Sequence, residues 1–326
     1  MIGDMQRWTP NVASIIEHAK EFHPKKEVIS RMVSGDVHRT NYEEVCIRSR
    51  KLASALEKDG YKKGDVIATL ALNTYRHLEM YYGISGMGAI CHTLNFRLHP
   101  EQAVYIINHA DDKIIFCEVP FIPIMEGLKD QLPCVEKYII LCDEADMPET
   151  GLKNAVSYEE YINNGDEDYV WPAMEDDAAC GLCYTSGTTG NPKGVLYSHK
   201  SNILHAQASL VGMPIGPDES ILMVVPLFHV LAWGIPYYGP MNGSKLVMPG
   251  MQMEGEPLFN LIDKEKVTLA FGVPTIWMGL LAYCRDNNKI LTSVRNTIIG
   301  GSALSLPTLQ EFDEVHDVNV IHAWGM

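Results

Sequence analysis

The chain lacks a basic run. Its 326 residues carry 26 Lys and Arg against 41 Asp and Glu, which gives a net charge of −15. A negative balance without a basic run argues against nucleic acid or an anionic membrane as the main partner. The first ten residues also contain no apolar core of the length that a signal peptide needs. We therefore expect a cytoplasmic protein whose partners are small molecules.

Long apolar runs are equally scarce, and one stretch needs weighing as a membrane span. No Asp, Glu, Lys or Arg occurs between Glu219 and Lys245. Three prolines and three glycines interrupt this stretch, and His229 lies near its middle. A lipid-facing helix must satisfy its own backbone hydrogen bonds, which this composition opposes. We expect a buried strand followed by a broken helix, and no transmembrane segment.

Cysteine spacing gives no indication of a metal site. Of the eight cysteines, only Cys180 and Cys183 have a Cys-x-x-Cys spacing, and no second pair follows them. A zinc site requires further cysteines or histidines at ligand spacing. His77, His92 and His109 are not spaced as metal ligands either, and we interpret them as structural. The cysteines are interpreted as buried thiols of a cytosolic protein.

Strand-like and helical segments alternate along the first half of the chain. Residues 42–59 have helical periodicity and are followed by Gly60, a residue that ends helices well. Strands are then predicted at 65–72, 89–94, 113–117 and 137–142, with helices at 74–86, 100–110 and 122–131. Such alternation predicts an α/β fold, with layered, mostly parallel sheets and helices on their faces.

A polar, acidic stretch at 143–177 interrupts this alternation. We place a subdomain connection there, which divides the chain into subdomains of about 1–170 and 171–326. The second half is predicted to begin with a strand at 180–185 and to continue with a helix from about residue 198. Further strands are predicted at 220–225, 245–248, 268–273, 296–300 and 318–323.

The segment 184–194 reads Tyr-Thr-Ser-Gly-Thr-Thr-Gly-Asn-Pro-Lys-Gly. Glycines allow successive backbone N–H groups to converge on one anion, and the hydroxyl groups and Lys193 add further donors. The composition therefore predicts a polyphosphate-binding loop. It is not a Walker A loop, because Asn191 and Pro192 separate Gly190 from the lysine, and Gly194 stands where Ser or Thr would follow.

This run resembles, residue for residue, the signature loop of the adenylate-forming enzymes, and in particular the acyl-CoA synthetases. The resemblance implies the large N-terminal domain of that fold and an ATP-dependent carboxylic acid:CoA ligase. The resemblance also implies ATP and Mg²⁺ as cofactors and coenzyme A as a co-substrate, with Thr185 as a ligand of the Mg²⁺ ion. The loop residues implied to bind the nucleotide are Thr185, Ser186, Gly187, Thr188, Thr189, Gly190 and Lys193.

Two further segments resemble the acyl pocket of these enzymes. Pro226-Leu227-Phe228-His229 is similar to the element that meets the acyl carboxylate, which implies a catalytic hydrogen-bonding role for His229. Trp233, four residues on, occupies the position that gates the acyl tunnel in the family. Outside the resemblance, His229 would be interpreted as an ordinary core or surface residue and Trp233 as a core aromatic. The segment 272–277 looks like the next pocket wall, with Val273, Pro274 and Trp277 as its members.

The adenine site is implied at two strand ends. Gly300, Gly301 and Ser302 follow a predicted strand, and glycines there permit a flat ligand to approach, although a tight turn has the same pattern. The segment formed by His322, Ala323, Trp324 and Gly325 is similar to the one whose aromatic residue stacks on adenine. The family usually has Tyr at this position; Trp324 keeps the π face and loses the phenol hydroxyl.

Residues 77–112 are similar to the medium-chain fatty acid and methylmercaptopropionate CoA ligases, with Phe96 in place of the more usual proline. This implies a short- or medium-chain fatty acid or 3-methylthiopropanoate as substrate. The chain stops at Met326, before the family's threonine, glutamate and C-terminal lid. We therefore expect the chain by itself to be impaired in turnover. A homodimer is possible, as in related synthetases.

Two other functions stay open at this point. The chain could belong to another adenylating class, such as an amino-acid-activating domain or a luciferase-like oxygenase, although no acidic residue occurs in 221–244 to meet an ammonium group. It could also bind nucleotide or acyl groups without catalysis. A phosphoryl-transfer kinase fits least, because the loop spacing is wrong.

Overall fold

The computed structural model describes residues 9–175, 177–185 and 191–324. Within these ranges the chain forms fourteen strands and eleven α-helices. The strands are β1 (Glu27–Arg31), β2 (Val37–Asn41), β3 (Val66–Leu70), β4 (Ile90–Thr93), β5 (Ile114–Cys117), β6 (Lys137–Ile140), β7 (Val156–Ser157), β8 (Ala179–Tyr184), β9 (Gly194–Ser198), β10 (Ser220–Met223), β11 (Lys245–Met248), β12 (Leu269–Gly272), β13 (Asn296–Ile299) and β14 (Asn319–His322). The helices are α1 (Ala13–Phe22), α2 (Tyr42–Lys58), α3 (Tyr75–Gly86), α4 (Pro100–Ala110), α5 (Ile122–Leu128), α6 (Tyr158–Asn163), α7 (His199–Gly212), α8 (Ile235–Asn242), α9 (Gly255–Glu265), α10 (Pro274–Asn287) and α11 (Leu306–His316).

The strands form two seven-stranded sheets. The first sheet has the order β14-β13-β12-β10-β11-β1-β2 and the second has the order β7-β6-β5-β3-β4-β8-β9. All neighbouring pairs are parallel except β1 with β2 and β8 with β9. This confirms the prediction of an α/β fold with layered, mostly parallel sheets.

Each sheet takes strands from both halves of the chain. The hairpin of β1 and β2 joins the first sheet, where β1 pairs with β11. The hairpin of β8 and β9 joins the second sheet, where β8 pairs with β4. Sheet membership therefore does not follow the predicted division near residue 170. That division remains a prediction about subdomains.

Predicted and observed elements agree closely in the first half. The helix predicted at 42–59 spans Tyr42–Lys58, begins where Asn41 Oδ1 accepts from the Glu44 N–H, and is followed by Gly60 at φ 96°. The predicted helix at 122–131 changes to a 3₁₀ turn at Lys129–Gln131. The stretch at 143–177 is more than a connection, because β7 pairs with β6 and α6 follows it. The hairpin of β1 and β2 and the helix α1 were not predicted.

The charge-free stretch between Glu219 and Lys245 forms a strand and a short helix. Strand β10 is fully buried, and α8 contains Pro240 and ends at Gly243 in the left-handed conformation. The predicted buried strand followed by a broken helix is confirmed. Over the described residues, no helix combines the length and the apolar character needed to cross a membrane.

Helix α3 is the centre of the core. All twelve of its residues are buried, and one apolar cluster joins it to residues of both sheets. A helix without an exposed face must satisfy its polar side chains inside the protein. Glu79, for example, accepts from Arg48 Nε at 2.7 Å and from the Tyr158 hydroxyl at 2.8 Å. Burial raises the pKa of Glu79, and the charge of Arg48 opposes that rise.

His77 of α3 is buried as a neutral ring. Its Nε2 lies 2.9 Å from Thr69 Oγ1 and its Nδ1 lies 3.0 Å from the Leu72 carbonyl oxygen. Burial lowers the pKa of His77 to about 4, partly offset by the bond to Leu72. The unfolded chain gains a proton here near the ordinary histidine pKa, whereas the folded chain does so only near pH 4. Stability is therefore complete at neutral pH and falls as the pH is lowered toward 4.

We expect His77→Gln to reduce the acid sensitivity of folding. Between about pH 7 and about pH 5, the unmodified chain should lose about 2 kcal/mol more unfolding free energy than the variant, because each pKa unit is worth about 1.4 kcal/mol. Urea unfolding at the two pH values measures this difference. His18→Gln, at an exposed position of α1, is the matched control and should behave like the unmodified chain. An equal loss in His77→Gln and the parent would contradict the assignment.

Candidate active site

Four neighbouring strands of the first sheet end at one edge, where the sequence had placed most candidate residues. His229 follows β10, Gly300 follows β13 and Ala323 follows β14. The backbone hydrogen bonds between these strands continue one residue beyond the ends of β13 and β14. The Gly300 N–H donates to the Gly272 carbonyl at 3.2 Å, and the Ala323 N–H donates to the Ile299 carbonyl at 2.8 Å. Carboxyl ends of parallel strands are the usual ligand edge of an open α/β sheet.

A cavity of about 370 Å³ opens at this edge. Its walls are mostly apolar, with two imidazole rings and glycine backbone among them. The lining residues are His205, Ser209, Met213, His229, Val230, Trp233, Phe271, Ile298, Gly300, Gly301, Ala323 and Trp324. An apolar cavity with few polar groups fits a small ligand that has an apolar body and one polar end.

His229 provides the polar group beside the strand end of β10. Its ring is exposed toward the cavity, yet the surrounding protein still desolvates it and lowers its pKa below the ordinary histidine value. The imidazole is therefore neutral at physiological pH and offers one N–H donor and one acceptor. It can donate to one oxygen of a bound carboxylate without presenting a full positive charge.

Trp233 reaches the cavity because Gly300 has no side chain. A Cβ at Gly300 would lie 3.1 Å from the Trp233 ring and 3.0 Å from the Ala323 carbonyl oxygen. Gly301 adopts φ 87°, a conformation that favours glycine, and its Cα faces the side chain of Val273. Trp324 is 83% exposed at the cavity rim and presents a free aromatic face.

The chain between His229 and α8 makes a left-handed turn. Residues Val230, Leu231, Ala232 and Trp233 have φ between 47° and 55°, and Gly234 has φ 81°. Single non-glycine residues in this region are uncommon, and four in succession are costly because Cβ crowds the following carbonyl. The turn carries Trp233 into the cavity directly after His229.

His205 is a cavity residue that sequence reasoning missed. Helix α7 begins at His199, after the Ser198 hydroxyl accepts from the Ser201 N–H at 3.1 Å. One side of α7 then brings His205 to Gly234, where an added Cβ would lie 2.6 Å from His205 Nδ1. Burial lowers the pKa of His205. The helix itself was predicted. Which of its sides lines the cavity depends on how the helix packs in the folded chain.

The predicted phosphate loop leaves the second sheet as a hairpin between β8 and β9. At its base, the Thr185 N–H donates to the Lys193 carbonyl at 3.0 Å, and the Lys193 N–H donates to Thr185 Oγ1 at 3.3 Å. The side chains of both residues are exposed at the base of the loop. Five predicted ligands lie outside the described residues: Ser186, Gly187, Thr188, Thr189 and Gly190.

The strand that carries this loop packs against the left-handed turn. A Cβ at Gly181 of β8 would lie 3.1 Å from the Leu231 side chain. Helix α7, which follows the same hairpin, supplies His205 and Ser209 to the cavity wall. The loop base and the cavity are thus joined through two elements of the second half of the chain.

The remaining candidates are divided between this edge and the opposite face. His322 Nε2 lies 3.3 Å from the Ser302 carbonyl oxygen, while Gly325 lies outside the described residues. Pro274 is buried at the start of α10. Trp277 is only 1% exposed and packs with residues of the other face of the sheet, including Phe312. The structure therefore brings Trp277 to a separate core and not to the cavity.

Seven of the eight cysteines are buried free thiols, and Cys134 is half-buried. Burial raises the pKa of Cys180 to about 12, which keeps it a thiol. In the described part of the chain, no group of three His, Cys, Asp or Glu side chains is arranged to hold a metal. A Mg²⁺ ion favours few protein oxygens together with phosphate and water, and the Thr185 hydroxyl is of that type.

Comparison with known proteins agrees with this geometry. The family model described as AMP-binding enzyme matches residues 16–326. The chain is 44% identical to the medium-chain-fatty-acid–CoA ligase of Ectopseudomonas oleovorans, covering 100% of this chain and 60% of that protein. It is also 44% identical to the 3-methylmercaptopropionyl-CoA ligase of Ruegeria lacuscaerulensis, covering 100% and 61%. The chain thus spans about 60% of the length of these curated relatives.

Solved structures show the same fold. The anthranilate CoA ligase AuaEII in complex with anthranoyl-AMP superposes with a TM-score of 0.86 at 21% identity, covering 100% of this chain and 62% of that one. The N-terminal domain of FACL13 from Mycobacterium tuberculosis superposes with a TM-score of 0.84 at 22% identity, covering 98% and 76%. At this identity the similarity establishes the fold alone, as that of adenylate-forming N-terminal domains.

We expect Gly234→Ala to destabilise the chain by more than about 1 kcal/mol, because a residue with a side chain is strained at positive φ and the new methyl group meets His205. Gly212→Ala is the matched control: a Cβ there meets nothing within 4 Å, and Gly212 lies in the last turn of α7. That control should change stability little. Denaturant unfolding of the two variants measures the difference, and equal stabilities would show that the turn is not constrained at Gly234.

Proposed function

This chain belongs to the AMP-binding enzyme family, and we propose that it binds ATP and a carboxylic acid and joins them into an acyl-adenylate. The observation that carries the proposal is the shared edge of four parallel strands. There an apolar cavity with a neutral histidine lies at the glycine-containing strand ends, and helix α7, which follows β9, supplies part of its wall.

The acid is proposed to enter the cavity with its carboxylate toward His229. The apolar surfaces of Trp233, Phe271 and Ile298 would receive the acyl chain. We do not extend this pocket to Trp277, whose side chain is buried on the opposite face. Val273 and Pro274 remain proposed members of the neighbouring wall, because Val273 lies beside Gly301.

The nucleotide is proposed to lie across the strand ends of β13 and β14. Gly300, Gly301 and Ser302 would line one side of the adenine, and the segment from His322 to Gly325 would line the other, with Trp324 stacking on the ring. The triphosphate would be held by the amides and hydroxyls of the loop at 185–190 together with Lys193. Mg²⁺, when bound with ATP, would neutralise phosphate charge beside Thr185.

The proposed step is a displacement at phosphorus. A carboxylate oxygen forms a bond to the α-phosphorus of ATP, and the bond from that phosphorus to the bridging oxygen of pyrophosphate breaks. The carboxylate needs no base, because it is already ionised. The neutral His229 would donate a hydrogen bond as charge shifts between the carboxylate and phosphate oxygens. Thioester formation with coenzyme A would complete a carboxylic acid:CoA ligase reaction.

The two curated relatives are named for medium-chain fatty acids and for 3-methylmercaptopropionate. We therefore propose a short- or medium-chain fatty acid or 3-methylthiopropanoate as the acid substrate. The cavity volume of about 370 Å³ is compatible with acids of this size. Reduced turnover of the chain by itself also remains a proposal.

We expect the chain incubated with ATP, Mg²⁺ and hexanoate to release pyrophosphate and form hexanoyl-AMP, detected by mass spectrometry. His229→Ala should slow this step by about 10- to 100-fold, because one transition-state hydrogen bond is lost. His18→Ala, an exposed histidine on α1, is the control and should leave the rate unchanged. Nucleotide binding without pyrophosphate release by the unmodified chain would favour a binding protein over a ligase.

A separate prediction concerns Lys193. Replacing it with Gln should weaken ATP binding by about tenfold while changing AMP affinity little, because the ammonium group is proposed to meet the β- and γ-phosphates. Titration calorimetry with ATP and with AMP measures both affinities. Lys62→Gln, at an exposed position away from the loop, is the control. A similar loss for both nucleotides would place Lys193 elsewhere on the ligand.

A further inference from the structure

We propose that Asn73, Tyr81 and Tyr82, buried at and next to α3, are positioning residues that hold the left-handed turn. Through that turn they would fix His229 and Trp233 in the geometry that receives the acid. This inference rests on the proposed function of the cavity, although its structural part can be tested without any substrate.

Asn73 bonds to the backbone that leads into His229. Its amide nitrogen donates to the Met223 carbonyl at 2.9 Å and to the Val225 carbonyl at 2.8 Å, and its Oδ1 accepts from the Leu227 N–H at 2.9 Å. One buried side chain thus satisfies three backbone groups, from the last residue of β10 to the segment that follows this strand. A buried amide in this position resists movement, because any shift would leave polar groups without partners.

Two tyrosines of α3 hold the chain on either side of the turn. The Tyr81 hydroxyl donates to the Leu227 carbonyl, before the turn, and the Tyr82 hydroxyl donates to the Pro236 carbonyl, after it. Both side chains are fully buried. The eight residues 228–235 are therefore fixed at both ends by a helix that belongs to the centre of the core.

The strain of the turn explains why such fixing is needed. Four successive non-glycine residues at positive φ persist only where the surroundings determine the backbone. Trp233 is the last of these four residues, and its ring lies against Gly300. A small relaxation of the turn would therefore move the indole within the cavity and change the direction of the His229 ring next to it.

Phenylalanine replacements isolate the hydroxyl groups. In Tyr81→Phe and Tyr82→Phe the apparent affinity for hexanoate in hexanoyl-AMP formation should fall by about tenfold or more, because the Trp233 and His229 side chains proposed to receive the acid would shift. The apparent affinity for ATP should change by less than about twofold. Tyr42→Phe is the matched control, because Tyr42 is equally buried and its hydroxyl donates to the Ser244 carbonyl, outside the turn.

A readout without substrate separates this inference from the proposed function. The chain is labelled with 5-fluorotryptophan, and the ¹⁹F resonance of Trp233 is assigned with Trp233→Phe. In Tyr81→Phe and Tyr82→Phe this resonance should shift or broaden, while that of Trp277, on the other face, stays in place. Tyr42→Phe should leave both unchanged.

The outcomes are distinct. If the unmodified chain forms no hexanoyl-AMP but the Trp233 resonance responds as expected, the positioning holds and the proposed acid substrate fails. If hexanoyl-AMP forms and the Trp233 resonance is unchanged in Tyr81→Phe and Tyr82→Phe, the positioning role is overturned. Equal losses of hexanoate and ATP affinity in these variants would also overturn it, because they would indicate general destabilisation. Asn73→Ala provides a second variant on the same segment.

Discussion

A helix with no exposed side constrains everything packed around it, and α3 is such a helix. Each polar side chain on it needs a hydrogen-bond partner inside the protein. Burying a polar group without a partner lowers the stability of the fold by more than a typical hydrogen bond raises it. Arg76 pairs with Glu159 and donates to the Leu141 carbonyl, on the side of the second sheet. The Tyr75 N–H donates to Ser30 Oγ of the first sheet at 2.8 Å. These bonds fix the two sheets relative to each other through one helix.

The candidate site depends on this arrangement because its parts come from both sheets. The predicted phosphate loop follows β8 of the second sheet, whereas the cavity lies at an edge of the first. Helix α7 crosses between them and contributes His205 to the cavity, and Gly181 of β8 allows close contact with Leu231. If the sheets could slide, the predicted phosphate loop would move relative to the cavity. Rigid support by buried elements is what a bimolecular step needs, since orientation supplies much of the rate.

The sequence predicted most of the strands and the strand ends that lie beside the candidate cavity, because hydrophobic periodicity and glycine placement are local properties. It did not predict which side of the sheet each side chain reaches within the whole fold. Phe271 and Trp277 are only six positions apart, but Phe271 belongs to the cavity side and Trp277 to the other core. Likewise, the assignment of β1 and β2 to the first sheet follows from the long-range pairing of β1 with β11. His205 was missed for the same reason, since only tertiary packing turns its helix face toward Gly234.

The charges around the site explain the choice of a neutral histidine in the proposed reaction. The chain carries a net charge of −15, so the two anionic substrates of the proposed reaction would have to be attracted by local groups and not by the overall field. A polyphosphate can be met by Lys193, backbone amides and Mg²⁺. The carboxylate has a different requirement, because it must attack phosphorus. A cation bound tightly to the carboxylate would stabilise the ground state and make the carboxylate a weaker nucleophile. A neutral hydrogen-bond donor restrains the position of the carboxylate and reduces its reactivity less. Desolvation of His229, which lowers its pKa, thus suits the ring to orient the carboxylate without neutralising it.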